Sequence, residues 1–383
     1  LLLSSAASDV YKRQIMNIST TKKELQQAFS KLSKTTQLKS QNPLVNYTYI
    51  SSSPAGVLLH STDQEVGVKT HINASVNNEG ECLFPTSEMN DIISVLDDGR
   101  VDIEVSGPHI NIKSESGVSF DISTIPFQEY PEIPENKHDN LFCIETLSLK
   151  EIISSLMYAI NSEPTKPALN GACFNFLDSS VDFVATDGHR LVKITRQNTT
   201  NINGSFIVPK KFLSILSTFL EGQSETNLVI SGNYIFTNNN KDVFYSKIID
   251  EKYPNYNAVI PEENPLTLTA NKTEMMNNIK AASIATNKNT NQISLHLTEG
   301  KVYFKSVNQP ESKTVHAPLK SAKYAGEEIS IGFNAIYLKE AVSKYPNEEI
   351  IFTFKDSLSA TLFLPNVSDQ KTTILLMPVR INE

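Results

Sequence analysis

Asp187, His189 and Arg190 fall within four consecutive residues, Asp187-Gly-His-Arg190, and their types could carry a proton or hold a metal ion. An imidazole beside a carboxylate is common material for a general base, and histidine is a common metal ligand. Either chemistry asks for company. A metal site needs further His, Cys or carboxylate ligands at ligand spacing, and a nucleophile needs a base within reach. No such ligands follow nearby, and the chain contains no G-x-S-x-G, P-loop or H-E-x-x-H pattern. The flanking residues read differently. Val181-Asp-Phe-Val-Ala-Thr and Arg190-Leu-Val-Lys-Ile-Thr are strand-like, and Asp187-Gly188 supplies the positive φ angles of a two-residue hairpin. The expectation is a turn that supports a binding surface, with no catalytic residue, metal or cofactor. A hydrolase or metalloenzyme centred on Asp187 and His189 is the rival reading.

The elements that carry this hairpin recur along the chain. A polar cap followed by an amphipathic helix opens three segments. The first helix runs from Thr20 to Leu32, with Leu25, Ala28, Phe29 and Leu32 on one face. The second follows Ser148 with Ile152, Ile153, Leu156 and Met157, and the third follows Asn271 with Met275, Met276, Ile279 and Ala282. A later helix starts at Pro85, at Pro209 and at Asn334, a period of about 125 residues. Alternating strands follow each one: Val101-Asp-Ile-Glu-Val, Leu228-Val-Ile and Ile350-Ile-Phe-Thr-Phe. Ser106-Gly107 and Ser231-Gly232 mark one hairpin twice, and Tyr130-Pro131 and Tyr253-Pro254 sit in matching linkers near 127–138 and 252–264. One α+β unit of two helices and roughly eight strands is therefore written three times. The expected divisions are a non-native leader over 1–15, then copies over 16–135, 136–260 and 261–383.

Charge is distributed unevenly over these copies. The first helix and its tail carry Lys22, Lys23, Lys31, Lys34 and Lys39 against Glu24 alone. Lys210 and Lys211 open the second copy's later helix, and Lys280 lies on the third copy's first helix. Together the six helical segments are net positive, whereas the chain as a whole carries −8. An acidic body with basic helices suits a protein that holds a phosphate backbone on one face and repels it elsewhere. Flexible lysines position a duplex without reading its sequence. Cys82, Cys143 and Cys173 lack metal-site spacing, which fits a reducing cytoplasm, and no apolar run is long enough to span a bilayer. Leu1 to Ile15 has its positive charges after its apolar residues, the reverse of a signal peptide, so Met16 is the expected start.

Ala185-Thr-Asp-Gly-His-Arg-Leu191, Leu169-Asn-Gly171 upstream of it and the ending Met377-Pro-Val-Arg-Ile381 resemble the bacterial DNA polymerase III beta subunit family, the sliding clamps. Phe206-Ile-Val-Pro-Lys, Tyr245-Ser-Lys-Ile-Ile-Asp, Tyr253-Pro-Asn-Tyr and Ile331-Gly-Phe-Asn334 agree, so the resemblance runs from about Met16 to Ile381. It implies three tandem DNA-clamp domains, each with two helices packed on antiparallel sheets. It also implies a head-to-tail homodimer ring whose helices line a hole for double-stranded DNA. Weak, salt-screened contacts within a closed ring would let the protein slide.

The same resemblance implies a pocket for short peptides of the polymerase III alpha subunit, the clamp loader and other clamp-motif proteins. Its walls would be Leu169, Thr186, Gly188, His189, Arg190 and Leu191, joined by Pro254, Val259, Asn334, Tyr337 and Leu358, with Leu375, Met377, Pro378, Val379 and Arg380 from the tail. Arg190 and Asn334 are expected to fix the peptide while aliphatic walls take its apolar anchors. Lys39 and Lys166 fall in loops where the family contacts DNA, beside the basic helix residues Lys22, Lys210, Lys211 and Lys280. Two positions depart from the family pattern: Ala258 stands where an arginine is frequent, and Thr290 where an aromatic is common. A clamp-like protein dedicated to a mobile element or resistance locus is the remaining alternative.

Overall fold

The structure is a computed structural model that describes residues 15–36, 42–137, 140–220, 222–239, 241–367 and 370–381. Among the described residues six α-helices fall where the repeated pattern places them: α1 (Lys22–Leu32), α2 (Thr86–Val95), α3 (Thr146–Leu156), α4 (Lys210–Phe219), α5 (Lys272–Ser283) and α6 (Ala335–Lys344). Leu25, Ala28, Phe29 and Leu32 of α1 and Met275, Ile279 and Ala282 of α5 are buried, the faces that the helical spacing marks.

The starts of α1 and α5 show the repeat in chemical detail. Thr21 caps α1 by accepting from the Glu24 amide at 3.3 Å, and Asn271 caps α5 by accepting from Glu274 at 3.0 Å. Each glutamate then turns to a neighbouring loop. Glu24 accepts from the amide of Asn73, and Glu274 from the amides of Lys320 and Ser321. The Asn73 amide holds the Glu24 carboxyl below the ordinary glutamate range despite burial, and for Glu274 burial is outweighed by bonds from the Ser321 side chain and the Ser321 and Lys320 amides. Ile15, placed with the leader by sequence, instead begins the first strand, Ile15–Thr21, and pairs with Ser106. Its alternating neighbours Met16 and Ile18 are buried, and that burial fixes the register.

The sheets do not respect the boundaries of the copies. An eight-stranded antiparallel sheet joins Val66–Ile72 of the first copy to Asp242–Lys247 of the second, in register from Thr70↔Asp242 to Val66↔Ser246. A ten-stranded sheet joins Arg190–Gln197 of the second copy to Gln370–Leu376 of the third, from Arg190↔Leu376 to Thr195↔Lys371. A five-stranded sheet ends at Ser119–Ser123, and a four-stranded sheet ends at Lys313–Pro318. Contacts therefore cut the second copy in two. One compact unit takes the chain up to Thr146 with Ile215–Ile248, the other Leu147–Ser214 with the chain from Ile249 onward.

Within the first unit, the join between copies is aromatic. Tyr245 lies opposite Gly67, where an added Cβ would come within 2.3 Å of the ring, so only glycine leaves it room. The Tyr245 hydroxyl meets Nε2 of His60 at 2.7 Å, while Nδ1 of His60 is buried without a partner. Burial, helped by the charge of Lys69, pushes the imidazole down from 6.5 to about 3. In the unfolded chain His60 takes a proton below 6.5, whereas the folded chain resists until about 3. Stability is therefore lost as pH falls through that window, at about 1.4 kcal/mol per pH unit from this group. Denaturant melts between pH 7 and 4 should show a shallower loss for His60→Gln than for the wild type. Equal slopes would contradict this account of His60.

Candidate partner-binding site

The hairpin joins the strands Ser180–Thr186 and Arg190–Gln197, whose last pair is Thr186↔Leu191. Only one of its turn residues has positive φ, Gly188 at 93°. This corrects the expectation that Asp187-Gly188 is the central pair. Asp187 is a cap: Oδ1 accepts from the amides of His189 at 2.9 Å and Arg190 at 3.0 Å. Its Oδ2 accepts from Nε of Arg190 at 2.9 Å. Both oxygens are thus engaged, and neither is presented as a base or ligand. Among the described residues no cluster of three or more His, Cys, Asp or Glu side chains could hold a metal ion.

Arg190 is the hub of the hairpin. It is buried, its guanidinium lies 4.3 Å from the Tyr337 ring centroid and 5.1 Å from that of Tyr158, and it also bonds to Glu340. Burial works against its charge, but the bonds to Glu340 and Asp187 outweigh that and raise its pKa. His189 stacks on Tyr337 at 5.9 Å. The Asn334 side chain caps α6 by accepting from Ile336 and Tyr337. Arg190 Nε and Nη1 and Asn334 Oδ1 thus help hold α6 and the hairpin in place. Tyr158 and Glu340 were not singled out by sequence. Glu340, three residues after Tyr337 on α6, shares a helical face with it, a spacing that offered a clue.

Leu191 and Leu375 face each other across the ten-stranded sheet and form a buried floor with Leu362, Cys173, Val184, Ile207, Tyr253 and Tyr256. Leu169 packs against this floor from the loop before its strand. The tail beyond it is pinned at three points: Met377 N donates to His189 O at 2.8 Å, Val379 N to Gly332 O at 2.8 Å, and Gln292 Nε2 to Arg380 O at 3.0 Å. Pro378 follows Met377 in that tail and is half-buried. Apolar side chains stand out of the same segments: Met377 is 37% exposed, Val259 53% and Leu358 59%, and Pro254 is also exposed. Asp356 orders the loop of Leu358 by accepting from the amides of Leu358 and Ser359. A buried apolar floor under a loop-borne apolar rim suits a partner's apolar anchors.

The DNA polymerase III beta subunit family matches this chain in three consecutive stretches, its N-terminal domain over residues 16–134, its central domain over 143–255 and its C-terminal domain over 257–380. The chain belongs to this family. The beta sliding clamp of Proteus mirabilis is 26% identical over 344 residues, 88% of this chain and 93% of that protein. A crystal structure of the DNA polymerase III subunit beta from Pseudomonas aeruginosa superposes with a TM-score of 0.89 at 23% identity, covering 96% of this chain and all of that one. Another Pseudomonas aeruginosa sliding clamp, crystallised bound to griselimycin, gives 0.87 at 23% identity with the same coverage. The fold is thus that of the beta subunits, three clamp domains of helices and antiparallel sheets.

The structure shows which of the basic-helix lysines are held by bonds within the chain. Lys22 pairs with Asp98 at 3.7 Å, with its side chain only 17% exposed. Lys31 bonds the buried Asp242 at 2.5 Å, and Lys34 bonds Thr218 at 2.8 Å. Lys210 donates to Ile160 O at 3.0 Å and Ser162 Oγ at 2.7 Å, and burial lowers its pKa. Each of these serves the fold. Lys211 is half-buried in the first turn of α4, whereas Lys280 is exposed on α5. Lys166 is exposed with Nζ beside the hairpin, 4.0 Å from where a Cβ on Gly188 would lie. Lys39 lies outside the described residues. Ala258 and Thr290, the two departures from the family pattern, are both exposed.

Proposed function

We propose that the chain is a DNA sliding clamp without catalytic activity, in which two copies close head to tail into a ring around double-stranded DNA. The ring tethers the polymerase III alpha subunit, the clamp loader and other clamp-motif proteins through one peptide pocket per chain, and it works in the cytoplasm. The observation that carries this reading is the joint formed by Leu191 and Leu375, where the hairpin of one copy and the tail of the next share a floor beneath exposed Met377, Val259 and Leu358. Such a rim buries an apolar anchor at little ordering cost, because the backbone beneath it is already hydrogen-bonded. The commitment of both Asp187 oxygens argues against hydrolysis at Asp187 and His189. DNA contact falls to exposed lysines such as Lys280 and Lys166, whose weak, screened attraction lets the duplex slide.

Griselimycin, bound in a crystal structure of the Pseudomonas aeruginosa clamp, serves here as the probe of the proposed pocket. Calorimetry should show that it binds this chain and that Met377→Glu weakens binding about a hundredfold, the scale of removing a central apolar contact and burying a charge in its place. Unchanged affinity in the variant would remove the tail from the pocket.

A further inference from the structure

We infer that Tyr256 is the positioning residue of the pocket rim: bonded to the buried Asp182 carboxylate, it fixes the segment that carries Pro254 and Val259. This rests on the peptide-pocket reading above. Asp182 is 2% exposed within the strand Ser180–Thr186, with Thr195 and Asn175 as its cross-strand neighbours. A carboxylate there is costly unless fully partnered. It accepts from Thr195 Oγ1 at 2.6 Å, from the Tyr256 hydroxyl at 2.8 Å and from Lys193 Nζ at 2.9 Å. Asn175 donates to the same tyrosine oxygen at 2.8 Å. Lys193 also reaches Asn257 Oδ1 at 3.0 Å and lies 5.1 Å from the Tyr256 ring centroid. Side chains from three adjacent strands therefore converge on two residues of the linker.

The linker needs such a grip. Between Tyr253 and Val259 it forms no strand pairing, only the short turn Tyr256–Val259, with Ala258 N donating to Asn255 O at 3.3 Å. The Tyr253 hydroxyl adds a 3.4 Å bond to Val184 O. Both tyrosine rings pack into the floor with Leu191 and Leu375, and Val259 emerges one turn after Tyr256. Aliphatic packing alone would let this turn slide, whereas a directional bond to a buried charge sets where it stops. Tyr256 touches no partner itself, and its effect passes through Val259 and Pro254.

A double-mutant cycle on the full chain tests this, with griselimycin binding read by calorimetry. Tyr256→Phe keeps the ring and removes one bond to a charged acceptor, so affinity should fall about tenfold. In a Val259→Ala background the same change should cost less than about threefold, because the group it positions is gone. Amide exchange at Ala258 and Val259 should quicken in Tyr256→Phe without ligand, while exchange at Leu191 and Leu375 stays unchanged. Wild-type affinity in Tyr256→Phe, or the same loss in both backgrounds, would overturn the positioning role and leave the pocket standing. No binding by the wild-type chain would overturn the pocket reading and this inference with it.

Discussion

Arg190→Ala is expected to lower the melting temperature by about 5–15 °C, the largest effect of any single substitution at the hairpin. The change removes the partner of two carboxylates, Asp187 and Glu340, and empties the space between the rings of Tyr158 and Tyr337. Breaking a buried pair from one side costs about 3–5 kcal/mol. Glu340 is 40% exposed and can recover water, so about 2–4 kcal/mol is the appropriate scale here. Arg190→Lys should recover less than half of the loss, because an ammonium cannot lie flat between two rings while bonding two carboxylates. Calorimetric melts would decide it. A melting temperature within a degree of the wild type would mean that the hub is not coupled to the fold.

Ile284→Lys should separate the two copies of the proposed ring. Ile284 is the most exposed large apolar side chain among the described residues, at 72%, and it closes the last turn of α5. It serves nothing within the chain's own core at that exposure. A head-to-tail ring buries two different surfaces, and the sheet edges Ser119–Ser123 and Lys313–Pro318, unpaired on one side among the described residues, offer two different surfaces for such a join. A lysine in an apolar interface costs several kcal/mol on each of two symmetric joins, about 3–5 kcal/mol apiece, and little in a lone copy. Light scattering at micromolar concentration should give half the wild-type mass, with an unchanged melting onset for the single chain. A variant of wild-type mass would place the join elsewhere.

The fold was legible where chemistry is local. Caps at Thr21, Asn271 and Asn334 and apolar spacing on α1 and α5 announce their helices within a few residues. The hairpin and the Met377–Ile381 ending were legible as motifs, and the repeat gave three domains. What escaped is whatever depends on partners far along the chain. The pairing of Val66–Ile72 with Asp242–Lys247 crosses about 175 residues, so no window of sequence reveals that sheets outrun the copies. Lys22, Lys31, Lys34 and Lys210 read as free basic residues because sequence shows their charge, while Asp98 and Asp242 pair with two of them and the Thr218 and Ser162 hydroxyls hold the other two from far along the chain. Asp182 and Tyr256 escaped for the same reason, 74 positions apart and joined by one hydrogen bond.

Sliding itself rests on topology, and one measurement reaches it directly. The chain is assembled with a clamp loader on nicked circular DNA, and its retention is followed by gel filtration before and after a restriction enzyme linearises the circle. A ring held by linkage stays with the circle through moderate salt and runs off the linear ends within minutes. Equal retention on circular and linear DNA would mean that the chain grips the duplex instead of encircling it, and the sliding-clamp account would fall.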